Sequence, residues 1–169
     1  MSPMEVFIRP VTPDLAATWE AMRRGLWPGS EEHGSEVAAF FKGSSTEPRA
    51  VFSAHDLSGA MIGFAELSIR FETAGLEQKP TGYVEGLYVI PARRKQAVAR
   101  KLLRAARNWA RDQGCVAFAS DRADRVIIDS SGFDHVPRSS AHSIRIAHAT
   151  PGGGVLTFKG SAQFRDEGT

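Results

Sequence analysis

The chain has 169 residues, of which 42% are hydrophobic and 24% charged, and its formal net charge is +2. That length suits one domain with a sizeable core, and the near balance of charge excludes a strong whole-molecule field toward nucleic acid or a membrane surface. Cys115 is the only cysteine, which excludes an intramolecular disulfide, argues against a cysteine-based zinc site and fits a reducing compartment. Residues 1–13 contain no apolar signal region, and no apolar run reaches the roughly 18 residues of a membrane helix. A soluble, cytoplasmic protein is expected.

Residues 6–9 read as a first strand, closed by Pro10. Thr12-Pro13-Asp14 sets an N-cap with proline at the first helical position. Leu15, Trp19, Met22 and Leu26 then recur at helical spacing, up to Trp27-Pro28-Gly29. A second helix is expected over 35–42, with Val37, Phe40 and Phe41 as its apolar stripe. Residues 50–54 and 60–70 read as an antiparallel pair joined by Asp56-Leu57-Ser58-Gly59, followed by a polar loop. Residues 82–90 form the most strand-like segment of all, stopped by Pro91. A helix over 95–113 follows, apolar along Val98, Leu102, Leu103, Ala106 and Trp109, and Gly114 ends it at a C′ position. Residues 116–119 make a short buried strand. The order β, α, α, β, β, β, α, β implies an α+β fold with a mixed sheet. Farther on, Val126-Ile127-Ile128 suits a short helix or strand, 139–149 alternates weakly, and 155–159 suits a last edge strand. Residues 1–159 are read as one domain and 160–169 as a frayed tail.

Arg93, Arg94, Lys95, Arg100, Lys101, Arg104 and Arg107 crowd the end of the strand and the start of the long helix. A strand running through a basic loop into a helix gathers unpaired backbone N–H groups in one place, which suits a pyrophosphate. Small residues at Ala97 and Ala99 allow close approach. On the residues alone, a strand–turn–helix with a solvated basic face explains the same pattern equally well.

The loop Arg94-Lys95-Gln96-Ala97-Val98-Ala99 resembles the acetyl-CoA motif of the GNAT superfamily, Gln/Arg-x-x-Gly-x-Gly/Ala, with alanine at 97 where the first glycine stands. Three further segments keep family order around it: Gly25-Leu26-Trp27-Pro28-Gly29, residues 62–70, and Trp109 through Gly114-Cys115 to Asp121. With Val84-Glu85-Gly86-Leu87-Tyr88-Val89-Ile90-Pro91 they resemble the aminoglycoside 6′-N-acetyltransferases over residues 5–121. The resemblance implies the GNAT fold, a mostly antiparallel mixed sheet flanked by helices. It also implies acetyl-CoA as co-substrate, no metal, and direct transfer to the 6′-amine of an aminoglycoside.

Residue by residue, it implies that Leu87, Tyr88 and Val89 pair through their backbones with the pantetheine arm. Arg94, Lys95, Gln96, Ala97, Val98, Ala99 and Arg100 would hold the pyrophosphate. Glu85 would bind the acceptor amine and help deprotonate it, since only the neutral amine is a nucleophile. Trp27 would line the acceptor pocket, and Asp121 would bind the cationic drug. The Val89 N–H would polarise the thioester oxygen. The plain alternatives are a Glu85 carboxylate paired with an arginine, a Trp27 that closes the end of its helix, and an Asp121 N-cap. Glu31, Glu32, Glu36, Glu72 and Glu77 would add negative potential or act as solvated charges. Cys115 is expected to be buried and not a nucleophile, and the five histidines show no metal-ligand spacing.

Past Asp121 the family pattern is altered. Gly132-Phe133 follows Asp121 after eleven positions, a shorter stretch than the family has, and no asparagine follows Asp121. Val136-Pro137-Arg138 stands where acidic acceptor contacts are usual. Two other functions therefore stay open: acetylation of another primary amine, such as a polyamine or peptide N-terminus, and a non-catalytic acyl-CoA-binding relic. A homodimer joined through late strands is the family expectation.

Overall fold

A computed structural model describes residues 4–73, 76–122, 125–129, 133 and 145–148. Its strands are β1 (Phe7–Pro10), β2 (Ala50–His55), β3 (Met61–Arg70), β4 (Thr81–Val89), β5 (Ala117–Arg122), β6 (Arg125–Asp129) and β7 (Arg145–His148). The helices are α1 (Ala16–Leu26), α2 (His33–Lys42) and α3 (Val98–Asp112). The seven strands form one sheet in sequence order. Every neighbouring pair is antiparallel except β4–β5, which is parallel because α3 crosses between them. This is the mixed sheet that the element order implied, with the mostly antiparallel pairing and flanking helices that the resemblance implied. The expected strand over 155–159, the tail at 160–169 and the boundary between them lie outside the described residues.

Residues 126–128 resolve as part of strand β6, and only 145–148 of the weakly alternating stretch are described as strand. Among the described residues, no helix is long and apolar enough to cross a membrane.

Alternation along β3 and β4 builds two cores. Ala65, Leu67, Val84, Leu87 and Val89 face α3 and pack on its buried stripe of Val98, Leu102, Ala106 and Ala110. Leu103 and Trp109, expected on that stripe, pack at its margin. A Cβ on Gly82 would stand 2.4 Å from the Ala110 Cβ, so this glycine sets how closely the helix approaches β4. On the other face Trp19, Met22 and Leu26 of α1 and Val37 of α2 enclose Phe64. Burying each such aliphatic side chain contributes about 1.5–3 kcal/mol.

Two helix ends position the site. Gly114, at φ +77°, closes α3 in a Schellman motif: the Cys115 N–H donates to the Ala110 carbonyl and the Gly114 N–H to that of Arg111, both at 3.0 Å. At its start, α3 begins at Val98 rather than at Lys95. Arg94 is extended, and Lys95 and Ala97 take the left-handed region at φ +62° and +61°. The basic segment is thus a tight irregular loop, not the first helical turn that its composition suggested.

Candidate active site

The site forms where β4 and β5 part. Their parallel ladder runs from Thr81↔Ala117 to Val84↔Ser120 and ends there. Beyond it, β4 continues beside β3 while β5 continues beside β6. A bulge marks the point of divergence: the β3 register passes from Glu66↔Gly86 to Leu67↔Val84, leaving Glu85 as the extra residue. Val84 and Leu87 both face α3, so the two residues between them, Glu85 and Gly86, both fall on the α1–α2 side. A regular strand would have turned one of them away.

The open side of β4 carries backbone groups. The Ile90 N–H donates to the Ile62 carbonyl at 2.9 Å, so Ile90 and Tyr88 address β3. Leu87 and Val89 therefore turn their N–H and C=O groups toward the gap. Of the three residues expected to pair with a pantetheine arm, the backbones of these two face the opening and that of Tyr88 does not.

The basic loop lies at the same end. The first intrahelical bond of α3 runs from the Lys101 N–H to the Ala97 carbonyl at 3.1 Å, and no side chain caps Ala97. The N–H groups of Val98, Ala99 and Arg100 precede that bond and have no intrahelical partner, an arrangement that suits an anion. Lys95, Gln96 and Ala97 are exposed beside it. Arg94 differs from the others: its Nε donates to the Val89 carbonyl at 2.9 Å and its guanidinium lies 5.6 Å from the Tyr88 ring. It braces the loop against β4. The alanine at 97 costs on the order of 1 kcal/mol in a left-handed conformation that glycine takes freely. Ala97→Gly should accordingly leave the fold intact and raise stability by up to about 1 kcal/mol, read as a higher urea midpoint. A lowered midpoint would refute this account of the loop.

On the α1–α2 side, Glu66, Ser68 and Arg70 follow one another at alternate positions of β3. Arg70 grips Glu85 with both arms, Nε donating to Oε1 at 2.8 Å and Nη2 to Oε2 at 2.6 Å. The Ser68 hydroxyl also donates to Glu85 Oε1. The Arg70 guanidinium lies 3.7 Å from the centre of the Tyr83 ring. The plain expectation for Glu85, a carboxylate paired with an arginine, is what the structure contains.

Trp27 closes the C-terminal end of α1 and covers Gly86. A Cβ at that glycine would come within 2.6 Å of the Trp27 ring. His33 stacks on Trp27 at 6.4 Å, and its Nε2–H donates to the Trp27 carbonyl at 2.9 Å. The Arg23 guanidinium lies over the same ring, 5.2 Å from its centre. Its Nη2 pairs with Glu36 Oε2 at 2.6 Å. Its Nε is 3.1 Å from Glu66 Oε1, an ion pair without hydrogen-bond alignment. Trp19 Nε1 donates to the same Glu66 oxygen at 3.0 Å. Burial pushes the Glu66 carboxyl up to about 7, against the lowering effects of Arg23 and the Trp19 hydrogen bond.

Trp27 and Glu85 are thus brought to the bulge together. The Asp121 backbone directly follows Ser120, the last β5 residue registered on β4; its side chain lies outside the description. Of the five glutamates expected to colour the surface, all are exposed, and Glu36 is bound to Arg23. Cys115 is buried, and burial pushes its thiol up, away from nucleophile behaviour. Among the described residues, no group of three His, Cys, Asp or Glu could hold a metal ion. Sequence reasoning missed Arg70, Ser68, Glu66 and Arg23 as site residues. The alternating polar triplet of β3 was the available signal for three of them.

A central sheet that parts between its fourth and fifth strands, beside a basic helix start, defines an acetyltransferase architecture. Residues 16–127 match the family described as acetyltransferase (GNAT), and the chain belongs to that family. It is 43% identical over 116 residues to aminoglycoside N(6′)-acetyltransferase type 1 of Klebsiella aerogenes, covering 68% of this chain and 76% of that protein. The enzyme of the same name from Stenotrophomonas maltophilia is 39% identical over 115 residues, covering 68% and 73% of the two chains. Among solved structures, that of AAC(6′)-Iy in complex with the bisubstrate analog CoA-S-monomethyl-acetylneamine superposes with a TM-score of 0.62 at 30% identity. That match covers 70% of this chain and 80% of the other.

Proposed function

We propose that this protein transfers the acetyl group of acetyl-CoA to the 6′-amine of an aminoglycoside. The observation that carries the proposal is the convergence, at one strand bulge, of an open backbone edge, a basic helix start, a carboxylate and an aromatic face. The relatives named above supply the chemistry that such a convergence suits.

In this reading, the N–H groups of Val98, Ala99 and Arg100, with Lys95 and Gln96 beside them, receive the pyrophosphate. Ala97 at the N-cap gives the loop its turn, and Arg94 holds the loop in place. Leu87 offers its backbone groups to the pantetheine arm, while Val89, whose carbonyl is taken by Arg94, has its N–H available to a developing oxyanion. Tyr88 contributes packing rather than backbone pairing. Trp27 presents its ring to the acceptor, Glu85 binds an acceptor ammonium, and Asp121 adds a further carboxylate. With Glu85 already engaged by three donors, its part is to bind and orient the amine, and the proton leaves through water. A cytoplasmic location belongs to the same proposal, supported by a lone, buried thiol. So does a homodimer, since β7 is an edge strand among the described residues and an edge invites a second copy.

The test is direct. Purified protein, acetyl-CoA and a kanamycin-type acceptor should release free CoA and give a drug heavier by one acetyl group. Glu85→Gln should raise the acceptor KM at least about tenfold, the loss expected when a charged hydrogen-bond partner is removed, and leave the acetyl-CoA KM near wild type. Acetyl-CoA binding without any acetylated drug would refute the acceptor assignment. Turnover of a polyamine in its place would move the enzyme to the wider amine class.

A further inference from the structure

Glu85 is the carboxylate assigned above to the acceptor ammonium, yet it already holds a cation. Both of its oxygens are engaged by Arg70 at 2.8 and 2.6 Å, and Ser68 adds a third donor. A two-pronged arginine–carboxylate pair is the strongest common form of that contact. The pair is not sealed into the core: the side chains of Arg70 and Glu85 are 31% and 20% exposed. Arg70 also has a seat of its own, face-on at 3.7 Å to the ring of Tyr83, which is itself buried. Stacking on an aromatic face holds a guanidinium independently of its carboxylate partner. Glu36 and Glu66 are bound to Arg23. An ammonium approaching Glu85 meets a carboxylate already paired with Arg70.

We propose that Arg70 is a specificity-determining residue that occupies the ammonium position on Glu85 and yields it to the acceptor. This rests on the reading of Glu85 as the acceptor's ligand. Arg70 swings between the carboxylate and solvent at the edge of the Tyr83 ring, and it sets a threshold: an acceptor amine must outcompete a bidentate guanidinium. An acceptor with several ammonium groups does so more readily than a monoamine, because its other charges are held elsewhere in the pocket. Ser68 keeps Glu85 pointed at the same place when the exchange occurs.

The experiment compares Arg70→Gln, Arg70→Lys and Glu85→Gln with the wild type, using acetyl-CoA with one monoamine and one polyamine aminoglycoside fragment. Circular dichroism and urea midpoints report folding. Arg70→Gln should lower the acceptor KM by a factor of roughly three to ten, the range for a partly exposed ion pair, with the acetyl-CoA KM unchanged. The gain should be larger for the monoamine and should shrink at high salt. Arg70→Lys, which keeps the charge and loses the fork, should fall between the two. A folded Arg70→Gln protein with an unchanged or raised acceptor KM would overturn the proposal. Should Arg70→Gln fail to fold, an Arg70→Lys protein with the wild-type KM for both acceptors would overturn it equally. In the unmodified protein, the Arg70 Nε–H resonance, assigned by its loss in Arg70→Lys, should shift when acceptor is added without acetyl-CoA; an unmoved resonance at saturation counts against displacement. The two readings separate cleanly. If Glu85→Gln leaves the acceptor KM unchanged, the Glu85 assignment is the one that fails. If Glu85→Gln raises it while Arg70→Gln does not lower it, only the Arg70 proposal fails.

Discussion

Trp19→Ala is expected to remove about 3–5 kcal/mol of stability, out of the roughly 5–15 kcal/mol that holds a domain folded. Trp19 is wholly buried, and its ring meets Phe40 and Phe41 edge-on with centroids 5.2 and 5.8 Å away. Truncation leaves a cavity between α1 and α2 and also withdraws the indole N–H from Glu66. The second loss adds to the first, because a buried carboxylate oxygen then lacks its hydrogen-bond donor. Trp19→Phe keeps most of the ring and should cost about 1–3 kcal/mol. Urea unfolding measures both, and a loss below about 1 kcal/mol for the alanine variant would show that the core refills around the vacancy. The site should register the change too. Arg23 packs against Trp19 at 5.8 Å and against Trp27 at 5.2 Å, so a loosened α1 should raise the acceptor KM more than the acetyl-CoA KM.

The second large effect depends on pH. Burial raises the Glu66 carboxyl from 4.5 to about 7 in the folded protein. Between those values the folded state binds a proton that the unfolded chain has released. The contribution of Glu66 to stability is therefore fully present below about pH 4.5 and is lost as pH rises through 7. A shift of that size corresponds to about 3 kcal/mol. Other groups titrate over the same interval, so the informative quantity is the difference between two proteins. Wild type should lose about 2–3 kcal/mol more than Glu66→Gln between pH 5 and pH 8 in urea unfolding. Identical pH profiles would mean that Arg23 and Trp19 fully offset the burial. Arg23 retains Glu36 in the variant, which limits the damage done to its own charge.

Local pattern made much of this molecule legible. The Leu15–Trp19–Met22–Leu26 spacing marks α1, and the β-branched run ending at Pro91 marks β4, because periodicity is a property of neighbouring residues. Gly114 was readable as a helix stop for the same reason, since only its own φ is at issue. The start of α3 was not readable. Lys95 and Ala97 are ordinary helix formers, and they take left-handed conformations only because the strand before them and the helix after them fix both ends of the loop.

Glu85 shows the limit most clearly. Strict alternation would put it on one face with Tyr83 and Leu87. The bulge instead leaves Leu87 against α3 and turns Glu85 and Gly86 toward Trp27. No local propensity announces that shift, which is decided by the register between β3 and β4. The same register brings Ser68 and Arg70 onto Glu85.

By itself, then, the sequence determined the order of strands and helices as far as β5, the basic strand–loop–helix and, through its motifs, the acetyltransferase family. Each is written in spacings of a few residues, which short-range sterics and burial enforce. Tertiary structure alone decided which groups meet at the bulge: that Trp27 covers Gly86, that Arg23 bridges two glutamates, and that Arg70 already holds the carboxylate assigned to the acceptor. Those pairings depend on register and packing between segments far apart in the chain, where many partners are chemically suitable and geometry selects one.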